Sequence, residues 1–409
     1  MRLSVVSPYP PGLSGVGQYG ARIVAGLAAG GQFSDITVLA NQHSAAPRKE
    51  SAGRVTVQRI WALDQPDSSA RLLVALHRAQ PDVVWFNLGL GVFGRTRWVN
   101  FLGLTAPFLA RWVGIPTVST LHEIFEASRL IELGSPNGRL TNWGGRVATR
   151  MVLGSDLVCL TMQKYVRQLR VKYGAQNLVH IPHGTFDEPE FKALPAKTHI
   201  LMFGSFAPYK GLPILLSAFR RLRSRQKELQ LTIAGSDHPR FPGCLAKIRT
   251  EHADQQGVNW HTNVSENEVP ELFEAASLVA IPSTATTGSS SVLHRAATYG
   301  RPVVASDLPD LVAAASEARL EVKFACAGDA EALAVCLDDL SRDPQRAIQF
   351  GQRNVAAMRT MTLADTCRRY ATLFAEVQAA KLPVLAPSAV PNSTLDANPA
   401  PSRPRLGGR

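Results

Sequence analysis

The 409-residue sequence has no long apolar run, few cysteines and no zinc-finger spacing. No segment approaches the roughly 20 consecutive apolar residues of a membrane-spanning helix. Its five cysteines are scattered without CxxC spacing, so we expect reduced thiols in a cytoplasmic protein rather than a disulfide framework. Met1–Pro8 lacks the pattern of a secretory signal and is predicted to begin the first strand of a domain.

The composition describes a globular chain of two domains with an excess of positive charge. Hydrophobic residues make up 45% and charged residues 19%, and the chain is too long for one ordinary core. The net charge of +12 favours anionic partners, but no aromatic RNA-binding signature accompanies it, so nucleic acid is not predicted. The basic residues from Arg146 to Lys172 form either a solvated helix face or a contact with an anionic membrane. If they contact a membrane, we expect the protein at the inner face of that membrane.

Short apolar runs alternate with helical patterns along the chain, which is typical of doubly wound parallel sheets. We expect one Rossmann-like domain over residues 1–190 and a second over 191–361, joined by a linker at Phe186–Lys197. A last helix is predicted over 362–380, and the proline-rich tail 381–409 is predicted to be disordered.

The stretch Ser277–Asp307 predicts a phosphate cradle. An apolar strand ends at Pro282, a turn containing Thr287, Gly288, Ser289 and Ser290 follows, and a helix then ends before Gly300. Free N–H groups at such a helix start, at the carboxyl edge of a sheet, bind anions. An ordinary strand-helix connection whose hydroxyl groups only cap the helix is the alternative.

Three other places carry candidate site residues. Gly15 and Gly17 stand at the first strand-to-helix turn, where they either admit a ligand or only form a loop. Lys210 precedes the first helix of the second domain, where its cation would meet a bound phosphate. His122 and Glu123 follow a buried strand, a position that is either structural or part of a site.

These features, in this order, resemble the GT-B glycosyltransferases and specifically glycosyltransferase family 4. The motifs IPHG at 181–184, GSFAPYKG at 204–211 and YGRPVVASDLPD at 299–310 carry the resemblance together with the Gly-rich first loop and His122. It implies two domains that face each other across a cleft, and a last helix that crosses back to the first domain. It also implies a retaining transferase that moves a sugar from a nucleotide sugar to a glycan or lipid-linked acceptor in surface polysaccharide or glycoconjugate synthesis.

The resemblance assigns His122 and Lys210 as catalytic, with His122 and Glu123 on the acceptor side. The donor contacts that it implies are Gly15, Gly17, Ser205, Lys210, Thr287, Gly288, Ser289, Ser290 and Arg295. Three of these positions depart from the family, which usually has an arginine where Ser205 stands and glutamates where Thr287 and Arg295 stand. Arg295 either replaces the missing arginine or packs on the outer face of its helix.

These departures leave alternatives to an active transferase. A non-catalytic binding or partner protein would keep the fold without the chemistry. A nucleotide-sugar epimerase is less favoured, because the cradle has no carboxylate for acid-base work. No DxD pair is present, so the predicted reaction is metal-independent, and the nucleotide sugar is a substrate rather than a cofactor.

Overall fold

The structure is a computed structural model that describes residues 1–12, 14–89, 91–125, 138–286 and 288–380. Thr287, a predicted donor contact, and the tail 381–409, predicted to be disordered, lie outside the described residues. Within those ranges, no helix has both the length and the apolar character needed to cross a bilayer.

The first half of the chain forms one sheet around which six described helices pack. Its strands lie in the order β3-β4-β2-β1-β5-β6-β7-β8, and every neighbouring pair is parallel except β3 with β4. The strands are β1 (Arg2–Ser7), β2 (Asp35–Asn41), β3 (Lys49–Ala52), β4 (Val55–Trp61), β5 (Val83–Leu88), β6 (Thr117–Leu121), β7 (Leu157–Leu160) and β8 (Leu178–His180). The helices are α1 (Gly15–Ala29), α2 (Ser68–Ala79), α3 (Arg97–Leu104), α4 (Ala106–Trp112), α5 (Arg139–Leu153) and α6 (Gln163–Tyr173).

The second half repeats the plan with six parallel strands in the order β11-β10-β9-β12-β13-β14. These strands are β9 (His199–Phe206), β10 (Gln230–Asp237), β11 (Val258–Thr262), β12 (Leu278–Ile281), β13 (Val303–Ser306) and β14 (Val322–Ala325). The helices are α7 (Leu212–Arg225), α8 (Cys244–Glu251), α9 (Val269–Glu274), α10 (Ser291–Thr298), α11 (Pro309–Glu317), α12 (Ala330–Arg342), α13 (Pro344–Met358) and α14 (Leu363–Ala379).

The central strands are buried on both faces, which is why they read as continuous apolar runs in the sequence. All residues of β5, β6, β12 and β13 are buried. Helices cover both faces of each sheet, as parallel sheets require. The predicted α/β class with two parallel sheets is therefore confirmed.

The last helix, α14, packs on the first domain rather than on the second. It lies against α1, and the buried Tyr370 hydroxyl is 3.1 Å from that of Tyr19 and 2.8 Å from Oγ1 of Thr120. Thr362 and Asp365 form the predicted capping box at its start. The chain therefore joins its two domains twice, once near Phe186 and once at the start of α14.

Candidate functional site

The two domains meet where the loop after β6 touches the turn after β12. Gly288 adopts a φ of +78°, and a β-carbon there would lie 2.6 Å from the carbonyl oxygen of His122. A side chain would therefore be excluded both by the left-handed backbone and by the neighbouring domain. The predicted cradle thus lies directly against the predicted acceptor-side pair His122 and Glu123.

A hydrogen-bond network fixes the orientation of His122. Asn87, at the end of β5, donates through Nδ2 to the Val16 carbonyl at 2.8 Å and to Oγ of Ser7 at 2.9 Å. Because a carbonyl only accepts, the Oδ1 atom of Asn87 must face His122 Nε2, which lies 2.7 Å away. His122 therefore carries its proton on Nε2 and presents Nδ1 as an acceptor.

The same histidine is held neutral. Burial lowers the pKa of His122 to about 4. Its ring packs edge-on against Tyr19 at a centroid distance of 4.7 Å, and His183 lies 6.3 Å away. His183 stacks at 5.0 Å on His294 of α10, so that an aromatic cluster bridges the two domains beside the cradle.

The loop after β9 brings Lys210 next to the cradle. Gly211 has a φ of +74°, and a β-carbon there would meet the Pro282 carbonyl oxygen at 1.8 Å, so only glycine allows this approach. The Thr284 amide donates to the Tyr209 carbonyl at 2.9 Å, which ties the lysine loop to the turn after β12. Lys210 is consequently carried by a loop that packs on the cradle turn and is hydrogen-bonded to it.

The ammonium of Lys210 is half-buried and makes no ion pair with any described residue. Its nitrogen lies 5.8 Å from the centroid of the Tyr209 ring. Burial lowers the pKa of Lys210, and the carboxylate of Glu123 partly opposes that shift. An incoming anion would provide the direct ion pair that Lys210 lacks among the described residues.

The predicted strand and helix on either side of the cradle turn form, and one amide of the turn is already occupied. Ser290 caps α10 with a φ of 56°, and its hydroxyl accepts from the Leu293 amide at 3.4 Å. The Gly288 amide donates to the hydroxyl of Tyr165 in the first domain at 2.7 Å, and that hydroxyl donates to Asp310 at 2.7 Å. Of the first-turn amides, that of Leu293 is therefore capped, whereas those of Ser291 and Val292 lack intrahelical acceptors and can donate to an anion.

Arg295 is buried beside the cradle rather than on the outer face of α10. Its guanidinium donates to Glu266 and lies 4.1 Å above the ring of Phe186. Glu266 also lies 3.6 Å from Arg22 of the first domain. The Nη1 atom of Arg295 is buried without a hydrogen-bond partner in the described part of the chain. The cation is therefore paired with a carboxylate that it shares with Arg22, and one of its nitrogens has no partner among the described residues.

The other predicted donor contacts are less closely placed. Gly15 begins α1 and faces open space, whereas a β-carbon at Gly17 would lie 3.2 Å from the Pro8 carbonyl of the same domain. Ser205 lies on β9 beside Ser236 of β10. Ser289 is buried next to Gly288.

Three residues of the site were not predicted from the sequence. Asn87 orients His122, Tyr165 occupies the Gly288 amide, and Glu266 pairs with Arg295. Asn87 directly follows a buried run, which is the same signal that pointed to His122. Tyr165 is 123 residues from Gly288, and Glu266 is 29 residues from Arg295, so no local pattern reveals these pairs.

Two domain models of glycosyltransferases match the chain in succession. Residues 14–184 match the model described as glycosyl transferase 4-like domain. Residues 197–343 match the model described as glycosyl transferases group 1. The two models divide the chain at the linker between the two sheets.

Curated relatives match with low identity. The D-inositol 3-phosphate glycosyltransferase of Corynebacterium glutamicum (strain R) is 26% identical over 189 residues, which are 44% of this chain and 44% of that protein. The uncharacterized glycosyltransferase YqgM of Bacillus subtilis (strain 168) is 22% identical over 182 residues, 44% of this chain and 48% of that protein. The match therefore spans about half the length of these curated relatives.

Solved structures share the whole two-domain architecture. Sucrose-phosphate synthase from Thermosynechococcus elongatus superposes with a TM-score of 0.73 at 15% identity, covering 93% of this chain and 100% of that chain. HepE from Anabaena, in complex with UDP-glucose, gives 0.68 at 18% identity, covering 92% and 100%. WaaG, a glycosyltransferase involved in lipopolysaccharide biosynthesis, gives 0.66 at 15% identity, covering 91% and 99%. At these identities the likeness establishes the fold.

Proposed function

The chain belongs to the GT-B glycosyltransferases, with a glycosyl transferase 4-like domain followed by a group 1 domain, and from this premise we propose that it transfers a sugar from a nucleotide-sugar donor. The observation that carries the proposal is the meeting of three groups at one point of the cleft. The ammonium of Lys210, which has no ion pair among the described residues, the capped turn before α10 and the oriented His122 converge there.

The second domain is the proposed donor side. Cleavage of a sugar-phosphate bond leaves negative charge on the departing diphosphate, and groups that are already in place to meet it lower the barrier most effectively. Lys210 provides a cation, and the first-turn amides of α10 provide neutral donors. A complex of HepE with UDP-glucose shows that a protein of this fold takes such a donor.

The first domain is the proposed side for the sugar and the acceptor. Neutral His122 has a fixed tautomer, so it binds a sugar hydroxyl through Nδ1 without competing for the diphosphate. Glu123 follows it at the same edge and is proposed to face the acceptor. Glu123 also influences the pKa of Lys210, which supports a position near the reacting groups.

We infer a retaining hexosyl transfer that does not depend on a divalent cation. Metal independence is supported by Lys210 and the helix amides, which provide groups that stabilise a leaving diphosphate. Retention is what the resemblance to family 4 implies. The anomeric configuration of the product, followed by proton NMR during the reaction, tests retention. Equal turnover with EDTA and with added magnesium or manganese is the expected result for the metal.

The acceptor is proposed to be a glycan or a lipid-linked saccharide in surface polysaccharide or glycoconjugate synthesis, in a cytoplasmic enzyme. The support is the fold shared with WaaG, whose role lies in lipopolysaccharide biosynthesis. Transfer to a lipid-linked saccharide, but not to a free monosaccharide, is the expected outcome of an acceptor screen.

A panel of nucleotide sugars tests the transferase directly. Uridine, guanosine and adenosine diphosphate sugars are titrated by calorimetry, and each binder is then followed for release of the nucleoside diphosphate. One donor should bind and be slowly hydrolysed even without an acceptor, and Lys210→Ala should abolish the release. A protein that binds no member of the panel would contradict the proposal.

A non-catalytic binding protein is the second candidate, because two groups expected to serve the donor are engaged elsewhere. The Gly288 amide is held by Tyr165, and Arg295 is paired with Glu266. Under this candidate the donor binds tightly and no nucleoside diphosphate is released at any acceptor concentration. The same panel therefore separates the two candidates.

A further inference from the structure

The outer side of the first domain exposes an unusual set of aromatic residues. Trp98 of α3, Trp112 of α4 and Trp143 of α5 are 60%, 77% and 64% exposed. Trp61 and Trp85 of the same domain are almost completely buried. A group of exposed tryptophans usually marks a surface that contacts a membrane or another molecule.

These helices form one continuous face, which we call the α3–α5 face. Arg97 at the start of α3 donates to the Thr141 hydroxyl in the first turn of α5. Arg111 at the end of α4 pairs with Asp156 at 2.6 Å, just past the end of α5. The two contacts place α3 along the first half of α5 and α4 along its second half.

The α3–α5 face is positively charged, with Asp156 beside Arg111 as the carboxylate at its edge. The three helices together contain Arg97, Arg111, Arg139, Arg146 and Arg150 and no aspartate or glutamate. Within α5, four exposed residues recur at helical spacing along one stripe and place a tryptophan among arginines: Arg139, Trp143, Arg146 and Arg150. Cationic and aromatic side chains therefore occupy the same exposed stripe.

We propose that the α3–α5 face docks on an anionic membrane surface. Tryptophan rings favour the boundary between hydrocarbon and water, and arginines beside them favour anionic headgroups. No described helix spans a bilayer, so the contact is reversible and lies in the plane of the interface. The surface chemistry favours a lipid rather than a protein partner, because the charges of α5 are all positive and the aromatic rings are spread over three helices.

The structure separates the basic residues from Arg146 to Lys172, which the sequence analysis predicted as a membrane contact, into two groups. Lys164 pairs with Asp310 at 2.5 Å, and Arg167 lies 3.8 Å from Glu317. These two cations of α6 are therefore paired with carboxylates of the second domain. Arg146 and Arg150 remain exposed on α5. The membrane contact is therefore assigned to the α3–α5 face and not to the whole range from Arg146 to Lys172.

The position of this face suits a membrane-bound acceptor, a point that rests on the proposed function. Helix α3 follows β5 and helix α5 follows β6, the two strands whose carboxyl ends hold Asn87 and His122. An acceptor that is anchored in the docked membrane would reach the first-domain side of the cleft without leaving the bilayer. The docking itself requires no catalytic activity.

Flotation with lipid vesicles tests the docking. The full chain is mixed at low salt with vesicles of pure phosphatidylcholine or of equal parts phosphatidylcholine and phosphatidylglycerol. We expect flotation with the anionic vesicles only. Trp98→Ser with Trp143→Ser should lower the partition coefficient at least about tenfold. Arg139→Gln with Arg146→Gln should lower it and weaken its dependence on salt.

Matched variants on the second domain serve as controls. Arg220→Gln with Arg225→Gln removes the same charge from exposed positions of α7 and should leave flotation unchanged. Hydrolysis of a soluble donor should be unchanged in all these variants, so a failure of docking is distinct from a failure of the proposed activity. Absence of flotation by the wild type, or equal loss in the control pair, would overturn the proposal. So would a dimer in sedimentation equilibrium that the tryptophan changes dissociate without any vesicle binding.

Discussion

Two cations flank the cradle of the second domain, and they differ in how much of their charge is available. Lys210, on the loop after β9, has no ion pair among the described residues. Arg295, on α10, is buried, stacked on Phe186 and bonded to Glu266. By formal charge the two residues are equal, but of the two only Lys210 has no carboxylate partner among the described residues.

The comparison shows why a count of charged residues overstates a binding site. Desolvating an arginine is costly unless a carboxylate or another acceptor meets it, so a buried cation usually arrives with its partner. Glu266 fills that role for Arg295, with Arg22 alongside. Lys210, which lies on a loop and is only partly buried, can instead remain without an ion pair until an anion binds. The donor diphosphate is therefore expected at Lys210.

Removing Lys210 is expected to have the largest effect. Lys210→Ala should lower kcat/KM for the preferred donor about 100- to 1,000-fold, because a positioned cation stabilises the leaving diphosphate. Lys210→Arg should recover part of the loss. Lys247→Ala, an exposed lysine of α8, is the control and should be unaffected. Full activity in Lys210→Ala would refute the role of the lysine.

Acid should destabilise the fold through the buried histidines beside the cradle. Burial lowers the pKa of His122 to about 4 and also lowers those of His183 and His294. An unfolded histidine titrates near 6.5, so the unfolded chain binds more protons between these values. The free energy of unfolding should therefore fall as the pH drops from about 6.5 towards 4, by about 3 kcal/mol for His122 alone.

Denaturant unfolding at a series of pH values measures this loss. His122→Gln should flatten the acid limb of the stability profile, whereas His77→Gln, on the exposed side of α2, should leave it as in the wild type. An acid limb that is identical in wild type and His122→Gln would show that the buried histidine does not contribute.

Arg295→Ala distinguishes a structural cation from one that binds the donor. We expect a loss of about 2 kcal/mol in the free energy of unfolding, because the charged hydrogen bond to Glu266 disappears. The donor Kd should change less than about threefold. Arg346→Ala, which breaks an exposed ion pair with Asp339, should cost much less stability. If Arg295→Ala raised the donor Kd tenfold and left the free energy of unfolding unchanged, Arg295 would instead replace the arginine that is missing at Ser205.

Ser205→Arg should add a cation on β9 that, like Lys210, is available to the donor diphosphate. The expected gain is about a tenfold lower donor Kd, since charge-assisted hydrogen bonds are worth about 1.5 to 3 kcal/mol before the cost of ordering the side chain. Ser205→Gln has a similar reach without the charge and should show no such gain in calorimetry. Equal affinity in both variants would indicate that Ser205 does not face the diphosphate.

The sequence predicts the sheets well because each buried parallel strand is a short apolar run that can be recognised without knowledge of the rest of the fold. The strand before His122 and the helix that ends before Gly300 were both expected, and they form as β6 and α10. Helices α3 and α4 and the first half of α5 were not expected. Gly103 and Gly145 weaken their helical pattern, and each faces an aromatic ring, Phe93 and Phe125, so their role is packing that only the fold reveals.

For the site, the sequence indicates which residues stand at the sheet edge and not how they are paired. His122, Lys210 and the cradle turn all follow strands, and this position could be predicted. The neutralisation of Arg295 by Glu266 and the capture of the Gly288 amide by Tyr165 depend on tertiary contacts. The two open interpretations of Arg295 were therefore not separable by pattern alone.

A crystal structure with the nucleoside diphosphate of the preferred donor tests the central claim most directly. We predict that Lys210 Nζ lies within hydrogen-bond distance of a phosphate oxygen, next to the first turn of α10, while Arg295 keeps its bond to Glu266. A diphosphate bound to Arg295, with Lys210 turned away from it, would contradict this account.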